Sequence, residues 1–419
     1  MIWAKKIKAG ALQLVLFVST IIAVLLLCFL LLTHSQNLFV KKTDLTVQLI
    51  QAADEALRDS FEETILPNEA VDIITKNDLG ISVSVTQTNW GVLPMRTVRA
   101  TRGKLSFDKR ALIGAAQPNR AALYLQDQQR PMVIVGRAQI VGDAFLPERG
   151  IKPGNIRGYS YNRSKLIYGQ QKQSKTELLQ FANAWQNQMQ QLTNPSFSPK
   201  GEALTLEKGL VLKNSFKQPL QVVRGGSIRL EQIDLTGHIM VWASQKITVE
   251  STCQLQDVVL IAPHIEIKKG FRGTVQALAS ESIIVGKSAQ LQYPSVVLVH
   301  RFKNENDNQK AHITLAADTD VRGLLFFQQL AKEERSFKAH VSIAEKAQLM
   351  GELYCSGNLE LKGSVFGNVT TRGFVALENG SSYQNHLFNG QINSSLLPMA
   401  YGGLWYEDTP LNQVMKWLY

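Results

Sequence analysis

Residues 247–285 read ITVESTCQLQDVVLIAPHIEIKKGFRGTVQALASESIIV, and an apolar–x–apolar triplet recurs in them at a constant interval. The triplets are Ile247-Thr248-Val249, Ile265-Glu266-Ile267 and Ile283-Ile284-Val285. The two apolar side chains of such a triplet point to the same face of a β-strand. A repeat of this length fits a coil of short strands and turns, which buries its inward face only against further coils. The stretch therefore predicts stacked coils, a parallel β-helix.

The pattern extends on both sides, and we assign residues 202–390 to a parallel β-helix (solenoid). A unit of this solenoid would have about 18 residues per coil, as short strands joined by turns allow. The further triplets are Leu210-x-Leu212, Ile228-x-Leu230, Val341-x-Ile343, Leu359-x-Leu361 and Val375-x-Leu377. The break between Val285 and Val341 contains the Asn-rich, charged run 303–310, which predicts one long loop leaving a coil. A β-sandwich with fortuitous spacing is the alternative.

The composition is that of a globular protein. The chain has 419 residues, of which 45% are hydrophobic and 19% charged, so a wholly disordered or collagen-like chain is excluded. The net charge of +11 suits an anionic neighbour, such as a membrane, a polysaccharide or a nucleic acid. Cys28, Cys253 and Cys355 do not make a disulfide framework. Because Cys253 and Cys355 fall on distant coils, we expect both to be free thiols.

The N-terminal region predicts a membrane anchor. A basic leader (1–10) precedes a transmembrane helix (11–33), and the uncharged run 11–32 forms a helix of roughly 33 Å, long enough to cross a bilayer. The lysines of the leader keep the N-terminus in the cytoplasm and export the bulk of the chain. We therefore expect a single-pass protein of the inner (cytoplasmic) membrane that faces the periplasm or the cell exterior. A cleaved signal peptide is the alternative.

An amphipathic extension of the helix is predicted over 34–66, because apolar residues continue at helical spacing. The short basic leader ending at Gly10, the apolar helix and this extension resemble type IV pilin-like proteins, including minor pilins and pseudopilins. The resemblance implies leader cleavage between Gly10 and Ala11 and protein partners along the helix. Val15 stands where the family usually has a glutamate. A plain signal-anchor explains the same residues without cleavage.

A second resemblance lies in the C-terminal half. The short apolar pairs of 341–376 and the turn Gly363-Ser364-Val365-Phe366-Gly367 resemble bactofilins, which are polymer-forming β-helical cytoskeletal proteins. This resemblance implies a coil geometry and protein partners at the ends of the β-helix.

Residues 67–200 are predicted to form a small mixed α/β region of basic character. Ile81–Val85 and 132–135 predict strands, and Ser174-Lys175-Thr176-Glu177 is a capping box that predicts the start of a helix. The segment 96–175 contains sixteen Lys or Arg and four Asp or Glu. Its candidate residues for an anionic partner, such as an anionic glycan, are Arg149, Lys152, Arg157, Arg163 and Lys165. A solvated surface is the alternative, and without a recognised motif nucleic acid is not the expected partner.

Spacing reveals no catalytic set. Asp318 and Asp320 are weak candidates for metal ligands, although Asp-x-Asp before a glycine is more often a turn. The chain has no His-Glu-x-x-His and no Cys-x-x-Cys motif, and we expect no cofactor. A C-terminal tail (391–419) is predicted to cap the β-helix through a helix that begins near Thr409-Pro410 and carries Leu411, Val414, Met415 and Leu418 on one face.

These features favour a non-enzymatic, membrane-anchored structural or assembly component of the bacterial cell envelope, such as a minor-pilin-like subunit of a pilus or secretion machine. An anchored β-helix adhesin or anionic-glycan-binding protein is the first alternative. A polysaccharide lyase or hydrolase is the second.

Overall fold

A computed structural model describes residues 9–63, 65, 70–73, 80–116, 120–301, 311–329, 337–407 and 411–418. The helices are α1 (Ala9–Asp59) and α2 (Asn183–Thr193), with 3-10 turns at Ser60–Glu62 and Ser394–Leu396. Nearly all other regular structure is β. The prediction of a mainly β chain with a long N-terminal apolar helix is confirmed.

Among the described residues the strands fall into four sheets, and they are numbered in chain order. They are β1 (Ala70–Ile73), β2 (Ser82–Trp90), β3 (Leu93–Arg102), β4 (Leu105–Ala116), β5 (Leu123–Leu125), β6 (Met132–Val135), β7 (Gln139–Val141), β8 (Ala144–Leu146), β9 (Ile151–Pro153), β10 (Asn155–Ile156), β11 (Tyr159–Ser160), β12 (Gln171–Gln173), β13 (Glu202–Ala203), β14 (Val211–Asn214), β15 (Gln221–Leu230), β16 (Asp234–Gly237), β17 (Ile239–Val249), β18 (Gln254–Ile267), β19 (Arg272–Val285), β20 (Gln290–Arg301), β21 (His312–Leu315), β22 (Asp320–Gln329), β23 (Val341–Ile343), β24 (Gln348–Leu361), β25 (Ser364–Glu378), β26 (Ser381–Gln384), β27 (His386–Phe388), β28 (Gln391–Asn393) and β29 (Leu411–Leu418).

A five-stranded sheet has the order β1-β2-β3-β4-β29. Strand β29 runs antiparallel to β4, with Leu411 opposite Ala116 and Leu418 opposite Arg110. The predicted C-terminal helix over 411–418 is therefore wrong, because pairing with β4 satisfies the backbone groups that a helix would satisfy internally. The predicted helix start at Thr409-Pro410 lies outside the described residues.

The largest sheet is closed on itself and consists mostly of parallel strands. Its central column follows the repeat, since Ile228 lies opposite Ile247, Ile247 opposite Ile265, and Ile265 opposite Ile283. All four side chains are buried in one continuous apolar core. The triplets that begin at these four isoleucines are thus in parallel register with one another.

The column continues through the segment predicted as a single long loop. Ile283 lies opposite Ile313, and Ile313 lies opposite Val341. The break therefore contains a further complete triplet, Ile313-Thr314-Leu315, flanked by two long connections instead of one. The run 303–310, predicted as the loop, lies outside the described residues.

The register differs from the sequence prediction at both limits of the repeat. Leu212 lies opposite Leu235 on another face of the sheet, not opposite Leu230. Leu359 lies opposite Phe374, one residue before the predicted Val375. The first partner lies five residues from the predicted one and the second lies a single residue from it, and other apolar residues near each predicted position make such errors hard to avoid from spacing alone.

Strands from the region predicted as mixed α/β also belong to the closed sheet. Strand β5 pairs in parallel with β25, and Leu123 lies opposite Val369. Strand β8 pairs with β5, and β12 with β8. Strands β5, β8 and β12 thus extend a sheet whose neighbouring strand, β25, comes much later in the chain.

Helix α2 covers part of the outer surface of the closed sheet. Its Trp185 packs against Phe326, with ring centroids 5.1 Å apart, and Phe326 stacks on Tyr354 at 4.9 Å. The helix begins at Asn183, so the capping box at Ser174 does not start it. Instead the Ser174 amide donates to the Leu146 carbonyl and prolongs the pairing of β12 with β8.

By internal contacts the chain divides into two compact units. The first comprises the described residues up to Ser60, Val71–Val85 and Val98–Asp108, and the second comprises Phe61–Ala70, Thr86–Thr97 and Lys109 onwards.

Candidate functional site

Helix α1 changes character along its length. Its apolar side chains from Leu12 to Val40 are exposed, whereas Leu49, Ala53 and Leu57 are buried within the first unit. By length and composition the helix can cross a membrane, as an anchor or as a signal sequence.

The predicted cleavage residues lie at the start of this helix. Gly10 and Ala11 belong to the first turn of α1, and both are exposed. A Cβ atom added at Gly10 would meet nothing within 4 Å, so no packing requires glycine there. Val15, which replaces the glutamate usual in pilin-like proteins, is 65% exposed. Residues 1–8 of the leader lie outside the described residues.

The five candidate residues for an anionic partner lie on the segment that joins β8 to β12. Arg149, Lys152, Arg157 and Lys165 are exposed, and Arg163 is partly exposed. Over the same connection Glu148 is the single acid, so the segment is strongly cationic. An anionic partner for it stays a prediction.

Arg157 occupies the tip of a hairpin formed by β10 and β11. Asn155 lies opposite Ser160, and the two loop residues, Arg157 and Gly158, have φ values of 52° and 90°. A two-residue loop with both φ values positive matches the twist of the flanking strands. The tip lies next to Tyr159, which is 65% exposed and offers a ring for stacking.

The two candidate metal ligands each lie near a cation. Lys287 Nζ lies 3.5 Å from Asp318 Oδ2, and Arg322 Nη2 donates to Asp320 Oδ2 at 2.8 Å. Asp318 has a φ of 59°, a left-handed conformation that Asp tolerates in turns. In the described part of the chain no three His, Cys, Asp or Glu residues come together as a metal site would require. A metal at Asp318 and Asp320 stays an untested prediction.

A buried polar cluster that spacing did not reveal surrounds Glu352. Arg120 Nη1 lies 2.9 Å from Glu352 Oε2, and the side chains are 5% and 3% exposed. Tyr406 Oη donates to Glu352 Oε1 at 2.9 Å, and the Leu404 amide donates to Oε2 at 2.9 Å. The Glu352 amide donates to Tyr401 Oη, which in turn donates to the Gly323 carbonyl. The carboxylate is thus fully hydrogen-bonded, as a buried charge requires.

The two tyrosines of this cluster remain protonated donors. Burial and the negative charge of Glu352 raise the pKa of Tyr401 and of Tyr406 well above the ordinary value. The cluster therefore acts as a fixed hydrogen-bond network that joins β24 to the residues preceding β29.

One signal in the sequence points to the cluster. Glu352 stands in a strand where Leu353 and Cys355 face inward and Tyr354 outward, so both faces are largely apolar. A strand apolar on both faces is covered on both, and a carboxylate within it needs a buried partner. The sequence gives no clue to the partner, since Arg120 and Tyr406 are distant in the chain.

A cavity of about 540 Å³ opens beside this cluster. Its walls come from the loop after β4, from β5 and β8, from the segment following β12 and from β24 and β25. They include Arg120, Tyr124, Phe145, Lys175, Glu352 and Asn368. The volume is in the range of small-molecule sites.

The comparisons with known proteins give one weak likeness. Among solved structures, the chain is similar to the crystal structure of the competence-associated pilin ComZ from Thermus thermophilus, with 10% sequence identity and a TM-score of 0.20. The match covers 84% of this chain and 86% of that chain. No family model and no curated protein matches the sequence.

Proposed function

We propose that this protein is a membrane-anchored, non-enzymatic structural or assembly component of the bacterial cell envelope, of the minor-pilin-like kind. The observation that carries the proposal is helix α1, whose exposed apolar half suits a bilayer and whose last turns are buried in a folded unit. In this arrangement one helix both anchors the chain and belongs to its first unit.

We further infer that the closed sheet is a parallel β-helix held outside the membrane. The support is the register, in which Ile247, Ile265 and Ile283 succeed one another at equal intervals along the chain. Parallel strands spaced by one coil pair their backbones with the coils on either side. The lateral faces of such stacked coils are available to partners.

Processing of the N-terminus tests the pilin-like part of the proposal. In cells that contain a prepilin peptidase, we expect the mature chain to begin at Ala11, as measured by mass spectrometry of the purified protein. Gly10→Leu should leave the leader attached, whereas substitution of the exposed Gly103, outside the helix, should not. An intact Met1 in the wild-type protein would reject the pilin-like version and leave the plain signal-anchor.

Membrane topology tests the anchoring itself. We expect the protein to remain with the membrane after alkaline carbonate extraction, and protease added to spheroplasts to digest the bulk of the chain. Two arginines in place of Leu25 and Leu26 should release the protein, because each charge at the centre of a span costs about 3 kcal/mol. Release of the wild-type protein by carbonate would contradict the proposal.

A further inference from the structure

The cavity beside Glu352 has the composition of a saccharide site. It is lined by rings, by amides and by charged groups of the second unit, namely Tyr124, Phe145, Gln173, Lys175, Glu177, Gln180, Asn368 and Glu407. Phe145 is half-buried and lies 5.6 Å from Tyr124 between ring centroids. Apolar ring surface beside polar groups matches a pyranose, which has C–H faces and a rim of hydroxyl groups.

Hydrogen-bond acceptors outnumber donors among these groups. Asn368 is 6% exposed, and its Nδ2 donates to the Ala121 carbonyl at 2.8 Å. Its Oδ1 is buried without a hydrogen-bond partner among the described residues, an arrangement that is unfavourable unless a donor is supplied to it. The exposed carboxylates of Glu177 and Glu407 are further acceptors. Acceptors of this kind favour a ligand rich in O–H donors.

The net charge of the residues that line the cavity determines whether a neutral or an acidic saccharide is favoured. Arg120 and Glu352 neutralise each other as an ion pair. Of the remaining charged residues in the lining, Lys175 is basic, whereas Glu177 and Glu407 are acidic. The net charge is therefore negative, which disfavours the carboxylate of a uronic acid even though the nearby segment 149–165 is cationic.

We propose that this cavity binds a neutral pyranose unit of an envelope or extracellular glycan. The proposal does not depend on the minor-pilin-like function, since the cavity lies entirely within the second unit. A glycan held there gives an envelope component a lateral contact with a polysaccharide.

Ligand-observed NMR tests the proposal on the full-length protein in phosphatidylcholine nanodiscs, which carry no sugar head group. The probes are free glucose, galactose, mannose and N-acetylglucosamine at millimolar concentration, with glucuronate and galacturonate in parallel. We expect saturation transfer to at least one neutral sugar and a weaker effect on the uronates. Absence of transfer to every neutral sugar, or stronger transfer to the uronates, would overturn the assignment.

Paired variants locate the binding. Glu177→Ala, at an exposed position, should weaken the binding of the sugar about fivefold through loss of an acceptor. Glu148→Ala, at an exposed acid outside the lining, is the matched control and should change nothing. Glu177→Lys should shift the preference towards the uronates. Equal effects of the Glu177 and Glu148 variants would place the sugar elsewhere and reject the cavity as its site.

Discussion

Arg120 and Glu352 form an ion pair of 2.9 Å in which both side chains are almost completely buried. The pair joins the connection after β4 to strand β24, so two parts of the chain far apart in sequence meet at one carboxylate. Tyr406 and the Leu404 amide complete its hydrogen bonds from the residues that precede β29. The cluster thus joins the segment that leads into the closed sheet and the segment that leaves it to the same strand, β24.

Removal of Arg120 should destabilise the second unit strongly. Arg120→Met leaves the Glu352 carboxylate buried without its cation, and we expect the free energy of unfolding to fall by about 3 kcal/mol. Urea unfolding followed by tryptophan fluorescence measures the loss. Arg322→Met, which breaks an exposed pair with Asp320, is the matched control and should cost less than about 1 kcal/mol. Equal losses in the two variants would show that the buried ion pair contributes no more to the free energy of unfolding than the exposed one.

The stacked column predicts a sharp contrast between two neighbouring isoleucines. Ile283 is fully buried between Ile265 and Ile313, whereas Ile284 is 40% exposed on the opposite face of the strand. We expect Ile283→Ala to lower the free energy of unfolding by about 2–5 kcal/mol, and Ile284→Ala by much less. The same urea titration compares them. Similar costs at the two positions would contradict the assigned face of the strand.

The sequence predicts the parts of this fold that depend on residues close together in the chain, and not the parts that depend on pairing between distant segments. The spacing of Ile247, Ile265 and Ile283 reveals the register, because each of these residues is separated from the next by the same number of residues. The triplet that begins at Ile313 is not recognised from the sequence, because longer connections flank it and a period is recognised only when it recurs. Strand β29 was predicted as a helix because an eight-residue segment shows both periodicities, and pairing with β4, a distant strand, decides between them.

The candidate sites also differ in whether the sequence alone reveals them. The exposed residues Arg149 and Lys165 are visible in the sequence as a local excess of charge. The Glu352 cluster and its cavity are not, because their members come from segments that meet only through the stacking of β24, β25 and β5. Residues that are distant in the chain have no regular spacing from which such a site could be recognised.

The two buried thiols should be inert in the folded protein. Burial raises the pKa of the Cys355 thiol to about 12 and also raises that of Cys253, so neither forms the reactive thiolate near neutral pH. In a Cys28→Ser background, we expect a thiol-specific chromogenic reagent to label neither residue before denaturation. Both should react after denaturation without reductant. Failure to find them in the denatured protein would indicate a disulfide, and rapid labelling of the native protein would indicate that the core is open.

Stability should depend on pH through His300. Its side chain is fully buried, Thr193 Oγ1 lies 2.9 Å from its Nδ1, and burial lowers the pKa of the imidazole to about 4. In the unfolded chain the pKa is about 6.5, so between these values the unfolded state binds a proton that the native state does not. The free energy of unfolding therefore falls as the pH falls through this window, by at most about 3 kcal/mol.

Urea unfolding at a series of pH values between about 7 and about 4 measures this dependence. The His300→Gln variant should show a shallower slope than the wild-type protein, because glutamine takes up no proton. Burial also lowers the pKa of His238 and of His386, and both remain in the variant, so a residual slope of the same sign is expected. Identical slopes in the two proteins would mean that the His300 imidazole gains its proton as readily in the native state as in the unfolded chain.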